Sequence, residues 1–511
     1  MQAKTKTEPY DFFEPVFDGN YEVPLDTDYN LPDYCADIQR ILKCRAVPEI
    51  SSYTAEGDRV NCDGVCDIRV MYLDARGEGI KCCDFTKEFS ASIPSKMTSE
   101  RAVACIKASM QHMTCRAVSA RRIDLHVTLG LNVLAVVQKR DPITVAIDDE
   151  SIEKKTEAVS ASQAVNAVSH QFTVEDFVPL KSGKPPIENI LRREASARLI
   201  EVSANEDRLH VNGAVDLSFL YNSFVDGVTA EKMSATIDFD QNIDCTGADG
   251  DCLCDIKVIC GESSVQPKED TMGENTGVTV FAKLFVVGFL YRPCEIDVVD
   301  DAYSVDKPVE LHYAQNNFMQ TYGVHNDTLK NKSSMVVSGE EIQKILDIWI
   351  EGAETSSYCD KGKINYRVKY NVCMLYMNDQ NRILYTEKGF DFNHNAELPD
   401  EKIKKCDSSA RTEIWEYRIT DKSTVEISAE TTVSTLLYTR FAVKQLVSAD
   451  IDEEAETLPK ESKLLVYYAD EGENLWDIAK SHKALISDIR AQNDLETEQI
   501  SKAGPIIICN R

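Results

Sequence analysis

Four cysteines in an acidic segment, Cys245, Cys252, Cys254 and Cys260, are the residues whose type best suits a metal. Zinc sites use pairs of cysteines with two to four residues between them, commonly two such pairs. Here the one close pair, Cys252-Leu253-Cys254, has a single residue between its thiols and follows Asp249-Gly250-Asp251, so no metal site is expected. Other chemistry leaves no trace either. There is no Gly-x-x-x-x-Gly-Lys-Ser/Thr loop to cradle phosphates, no His-Glu-x-x-His pair and no Gly-x-Ser-x-Gly elbow. The eight histidines are scattered, and His126 and His210 fall in alternating segments where they read as surface or packing residues. Carboxylate pairs carry no information among 85 acidic residues. No enzymatic activity and no cofactor are expected.

Composition narrows the partners. The chain of 511 residues has a formal net charge of −29, which repels nucleic acid and anionic lipid. Seventeen cysteines, an odd number, do not form a regular disulfide framework. They read as small buried apolar groups in a reducing compartment. The N-terminus has no apolar run, and no stretch reaches the length of a membrane span, so neither a secretory signal nor membrane insertion is expected.

The organising feature is a repeat. Val60–Tyr72, Leu209–Tyr221 and Ile364–Tyr376 are each thirteen residues long and end in Tyr. Each Tyr lies thirty residues after the Leu of an Ile-Leu pair: Ile41-Leu42, Ile190-Leu191 and Ile345-Leu346. Equal spacing in three places marks a tandem array. Within each copy apolar residues alternate with polar ones, the period of a half-buried strand. Gly64 and Gly213 are the expected places for a bulge. Cys62 and Cys66 stand where the second copy has Val211 and Val215, so they belong to the core face.

The chain therefore divides into repeat one (1–147, with an acidic aromatic arm over 1–34), repeat two (150–299) and repeat three (303–447). An acidic linker (448–463) and a distinct C-terminal segment (464–511) follow. Aromatic arms also precede the second and third cores (Phe172, Phe177; Tyr313, Phe318, Tyr322), which makes the arm a leading strand of each repeat. Short helices are expected at Asp37–Leu42, Ile187–Leu191 and Glu340–Leu346. The class is mainly β, each repeat a sandwich or a partly closed barrel. The last segment reads strand (Leu464–Tyr468), helix (Leu475–Ser481), helix (Ile486–Asn493), strand (Ile506–Cys509).

That C-terminal segment resembles a LysM module. The family pattern appears as Tyr468, Gly472-Glu473-Asn474-Leu475-Trp476, Ile478-Ala479, Asn493-x-Leu495, Ile500, Gly504 and Ile508-Cys509. It departs from the pattern where Glu473-Asn474 replaces Asp-Thr, where Pro505 follows Gly504, and where Cys509 replaces the closing Pro. The resemblance implies a groove for N-acetylglucosamine polymers, or for a protein, at Asp470, Glu471, Gly472, Glu473, Asn474, Leu475 and Trp476 on one side and Asn493, Leu495 and Gly504 on the other. Trp476 either contacts the ligand or packs on the module's own core. The repeats, with Asp37-Ile38-Gln39-Arg40-Ile41-Leu42 before the long strand, resemble the SPOCS domain. Three such repeats and one LysM module are similar to the architecture of SipL-type spore coat morphogenetic proteins.

This resemblance implies a non-enzymatic scaffold made in the mother-cell cytoplasm and recruited to the forespore surface. Its expected partners are the self-assembling ATPase of the coat's basement layer and other coat proteins. The alternative is a peptidoglycan-binding protein with the module as a glycan site. A third reading, a cell-wall hydrolase, lacks a catalytic domain.

Overall fold

The computed structural model describes residues 3–75, 79–96, 102–149, 151–223, 225, 230–452, 454–456 and 464–509. Repeat one contains β1 (Thr5–Asn30), β2 (Ile38–Glu56), β3 (Arg59–Asp74), β4 (Ile80–Pro94), β5 (Val103–Ser119) and β6 (Arg122–Ile147). Repeat two has the same series: β7 (Ile152–Pro179), β8 (Asn189–Asn205), β9 (Arg208–Asn222), β10 (Glu231–Asp244), β11 (Leu253–Glu269) and β12 (Asn275–Ser304). Repeat three follows with β13 (Val309–Val336), β14 (Ile342–Asp360), β15 (Lys363–Asn378), β16 (Ile383–Glu397), β17 (Lys405–Asp421) and β18 (Thr424–Ile451). In each repeat the second, third and fourth strands form one antiparallel sheet. The first, sixth and fifth form another. The two sheets face each other across one core, so the sandwich forms and no sheet of the described residues closes into a barrel. The N-terminal arm is β1, laddered to β6 along its whole length, as the leading-strand reading expects.

The repeated stretch is the central strand of its sheet: β3, β9 and β15. Its apolar parity is buried, with Cys62 and Cys66 at 1% and 0% exposure. Burial pushes both thiols up to about 12, so they stay neutral and pack as small apolar groups. The irregularity anticipated at Gly64 and Gly213 lies in the partner strand opposite each, between Ile50 and Ser52 and between Leu199 and Glu201. The glycines answer a different need. A Cβ on Gly213 would stand 2.4 Å from the Arg198 carbonyl oxygen and 2.4 Å from the Phe239 ring, and Gly64 has the same relation to Glu49 and Phe89. Gly213→Ala is expected to cost about 1–3 kcal/mol by overpacking, read as a lower denaturant midpoint.

The short helices expected before the central strands do not form. Ile38–Glu56, Asn189–Asn205 and Ile342–Asp360 are strands, and the Ile-Leu pairs lie in them. The reason is that neighbouring residues of a strand face opposite ways. Ile41, Ile190 and Ile345 pack into the core of their own repeat. Leu42, Leu191 and Leu346 point the other way and meet one another in a separate core. The end of the central strand divides likewise. Tyr72, Tyr221 and Tyr376 turn inward, whereas Met71, Leu220 and Leu375 join the three leucines. The hydroxyls of Tyr72 and Tyr221 donate to the Ala36 and Pro185 carbonyls, pinning the chain as it enters each sheet.

The repeats thus close into a ring rather than a string. β4 of repeat one packs on β8 of repeat two, β10 on β14 of repeat three, and β16 back on β2 of repeat one. The backbone N–H of Ala3 donates to the Ala449 carbonyl (2.8 Å), joining the start of repeat one to the end of repeat three. Ion pairs cross every junction. Arg192 holds Asp347 at 2.6 Å with side chains 2% and 0% exposed, Lys232 adds a contact to Asp347 at 2.9 Å, Arg193 reaches Asp67 at 3.1 Å, and Lys43 reaches Glu351 at 3.0 Å.

The boundaries differ from expectation at two points. β12 runs to Ser304, past 299, so Tyr303 belongs to repeat two. β18 runs to Ile451, so the first residues of the expected linker are strand; 453 and 457–463 of that linker lie outside the described residues. No helix among the described residues is long and apolar enough to cross a membrane.

Candidate binding site

The C-terminal segment forms β19 (Leu464–Ala469), α1 (Leu475–His482), α2 (Ile486–Asn493) and β20 (Gly504–Cys509), with the two strands paired antiparallel. Asn474 starts α1 as the sequence predicts: its side chain accepts from the Trp476 N–H at 2.8 Å. Leu475, Ile478 and Ala479 face inward at the expected helical spacing.

The two loops expected to form a groove are brought together by backbone hydrogen bonds. Gly472 N–H donates to the Ile500 carbonyl (2.8 Å), Ile500 N–H to Glu473 (2.9 Å) and Leu475 N–H to Glu498 (2.8 Å). The Glu473 carboxylate braces the turn by accepting from Asp470 N–H and the Tyr467 hydroxyl, both at 3.1 Å. That contact also raises the Tyr467 phenol. Asp470, Glu471 and Gly472 stay exposed. The other predicted residues turn elsewhere. Leu475 is in the module core, and Leu495 packs on it. Asn493 spends its amide on Ile489 and on both sides of Ile507, fixing β20 to α2. Gly504 pairs with Ala469 at the start of β20.

Trp476 is buried in the module's own core, and Tyr303 and Val305 of repeat two extend that core over it. Its ring meets Tyr303 of repeat two edge-on at 5.0 Å, and its indole N–H donates to Asp301 at 3.0 Å. Asp301 also accepts from Lys480 (2.6 and 2.7 Å) and from the Tyr313 hydroxyl (2.8 Å). The Tyr303 hydroxyl donates to the Ala484 carbonyl (2.7 Å), and Glu153 accepts from Ile486 N–H. The module is therefore docked on repeat two through α1 and the start of α2. A cleft of about 640 Å³ opens beside the contact, bordered by Lys155, Asp300, Tyr313, Lys444 and Trp476.

One face of the module's small sheet is exposed. Leu464, Val466 and Tyr468 are 60%, 54% and 76% exposed, and Ile507 across from Val466 is 40% exposed. Side chains of one parity on two paired strands form a continuous apolar stripe. Sequence reasoning placed Tyr468 in the family pattern and passed over the others. The signal was there: Leu464-Leu-Val466-Tyr-Tyr468 is apolar on both parities, more than a two-stranded sheet packed on one side can bury.

No group of three or more His, Cys, Asp or Glu side chains among the described residues is placed to hold a metal. Cys252 donates to Asp249 (3.2 Å), while Cys254 and Cys260 pack against the core of repeat two. His126 and His210 lie on the surface beside Asp26 and Asp240.

Fold and site together define a mainly β tandem-repeat protein carrying a small docked module with an exposed apolar sheet face. Residues 37–118 and 186–266 match the family model described as SipL, SPOCS domain. Those segments span β2 to β5 of repeat one and their counterparts in repeat two, so two tandem parts of the chain are similar to that domain. No curated protein and no solved structure matches the chain.

Proposed function

We propose that the protein is a non-enzymatic scaffold in endospore coat assembly. Its β ring positions the C-terminal, LysM-like module to dock on a protein of the coat basement layer, the self-assembling ATPase, at the forespore surface. The tandem match to the SipL SPOCS domain supports the sporulation setting. The apolar stripe of Leu464, Val466, Tyr468 and Ile507 carries the choice of a protein over a glycan. An exposed apolar patch fits a protein interface, and sugar recognition needs polar groups aimed into a concavity. Here the two groove loops are zipped together and two of the predicted groove side chains, Leu475 and Trp476, are buried.

The test compares the full chain with Val466→Glu and with a chain ending at residue 463, against the purified basement-layer ATPase and against purified peptidoglycan. The full chain is expected to bind the ATPase and not the wall. Val466→Glu should weaken binding by about tenfold or more, and truncation should abolish both binding and forespore localisation. Retention on peptidoglycan without ATPase binding would move the protein to the glycan-binding reading.

A further inference from the structure

We propose that two copies of this chain associate edge to edge through the second half of β17, pairing antiparallel about Tyr417. β17 is the outer strand of its sheet. Its first half is flanked by β14, with the Ser357 and Ser408 hydroxyls 2.7 Å apart. From Trp415 to Asp421 every residue is exposed, on both faces of the strand. Trp415 is 73% exposed, Tyr417 41% and Ile419 42%. Trp415 sits at a bulge, between the pairs Ile414↔Ala429 and Glu416↔Ser428.

The same strand in repeat two shows what such a bulge is for. β11 bulges between Cys260 and Ser263, and there it is covered by repeat one. A Cβ on Gly261 would lie 2.5 Å from the Ile50 carbonyl oxygen, and the Ser263 hydroxyl donates to Glu49 at 2.7 Å. The bulge of this strand is thus a contact point between units of the same kind. Beyond it, β11 ends Gln266-Pro267-Lys268-Glu269, a proline and charges that block strand addition. β17 carries Tyr417 and Ile419 instead, with no proline, and an open aromatic edge of this kind is a template for another strand.

The sequence of the edge is self-complementary. Antiparallel pairing about Tyr417 sets Trp415 opposite Ile419, and Glu416 opposite Arg418 of the second copy, twice over. At the fringe Glu413 falls opposite Asp421, beside Lys422. Arg418 gives Nε and one Nη to Glu426 on the β18 side (2.8 and 2.6 Å), which leaves its other Nη for Glu416 of the second copy.

Sedimentation of the full chain across a range of concentrations tests the proposal. The expected result is a monomer–dimer equilibrium that Trp415→Lys weakens by more than about tenfold. Glu416→Arg alone sets Arg against Arg, and Arg418→Glu alone sets Glu against Glu, so each variant by itself should be monomeric. Mixed in equal amounts they should form a heterodimer, because both facing pairs are then opposite in sign. These residues are exposed, so all three variants should fold. A chain that stays monomeric, or variants that dimerise singly as well as mixed, would overturn the proposal.

Discussion

Asp347→Ala is expected to destabilise the ring by about 3–5 kcal/mol, the cost of leaving a buried charge without its partner. Arg192 is 2% exposed and keeps its proton at any accessible pH. Besides Asp347 it touches Glu194 at 2.9 Å and stacks over Trp349 at 5.1 Å. Burial would lower its pKa, but Asp347 and Glu194 outweigh that and raise it. With Asp347 removed, the guanidinium keeps the partly exposed Glu194, the Ser218 hydroxyl and the more distant Glu351, and Lys232 keeps the Ile348 carbonyl but loses its carboxylate. Chemical denaturation should show the loss as a lower midpoint. The double change Arg192→Met with Asp347→Leu should recover most of it, because a buried ion pair is commonly matched by apolar residues of similar size. A loss below about 1 kcal/mol for the single variant would mean that water reaches the pair.

Asp301→Ala should release the C-terminal module from repeat two. One carboxylate accepts from Trp476, Lys480 and Tyr313 at once. Losing charge-assisted bonds of this kind costs about 2–3 kcal/mol, or roughly 30- to 160-fold in the ratio of docked to free module. Hydrogen exchange of the α1 amides, compared with those of β9, reads undocking directly. The contact also has a pH signature. Burial alone would raise the Asp301 carboxyl, but hydrogen bonds from Lys480, Trp476 and Tyr313 outweigh it and hold it below the usual carboxylate range. A depressed pKa in the docked state contributes stability above the free value of about 3.9, and that contribution is lost as pH falls through the docked value. Docking should therefore be flat from neutral pH to about pH 5 and weaken below about pH 4. A pH-independent α1 would show that Tyr303 and the apolar contact hold the module without Asp301.

Much of this was written in local pattern. Period-two alternation located β3, β9 and β15, and the aromatic arms announced β1, β7 and β13. The helices of the C-terminal module fell within a residue of their spacing. What the pattern hid has one cause. The Ile-Leu pairs were misread because a strand covered on both faces loses its alternation and looks like a short helical run. The covering surface of Leu42 comes from Leu191 and Leu346, about 150 and 300 residues away, which no local window includes. The surroundings of Trp476 were hidden for the same reason. The module's own periodicity fixes α1, but Asp301 and Tyr303, which take up Trp476, belong to another repeat.

Lys43, Arg192 and Asp347 each follow the repeated leucine, so they occupy one position in three copies. Three separate identical subunits in a ring would carry the same side chain at that position. Arg192 could then never face an Asp347, since every subunit would bring Arg or every subunit Asp. Fusing the copies into one polypeptide removes that constraint. Each copy could mutate alone, the junctions could become unlike one another, and the order of the repeats around the ring became encoded by charge. Within one polypeptide, repeat three likewise has an outer edge of its own, with Trp415 and Tyr417 on it, where repeat two carries Gly261 and Pro267.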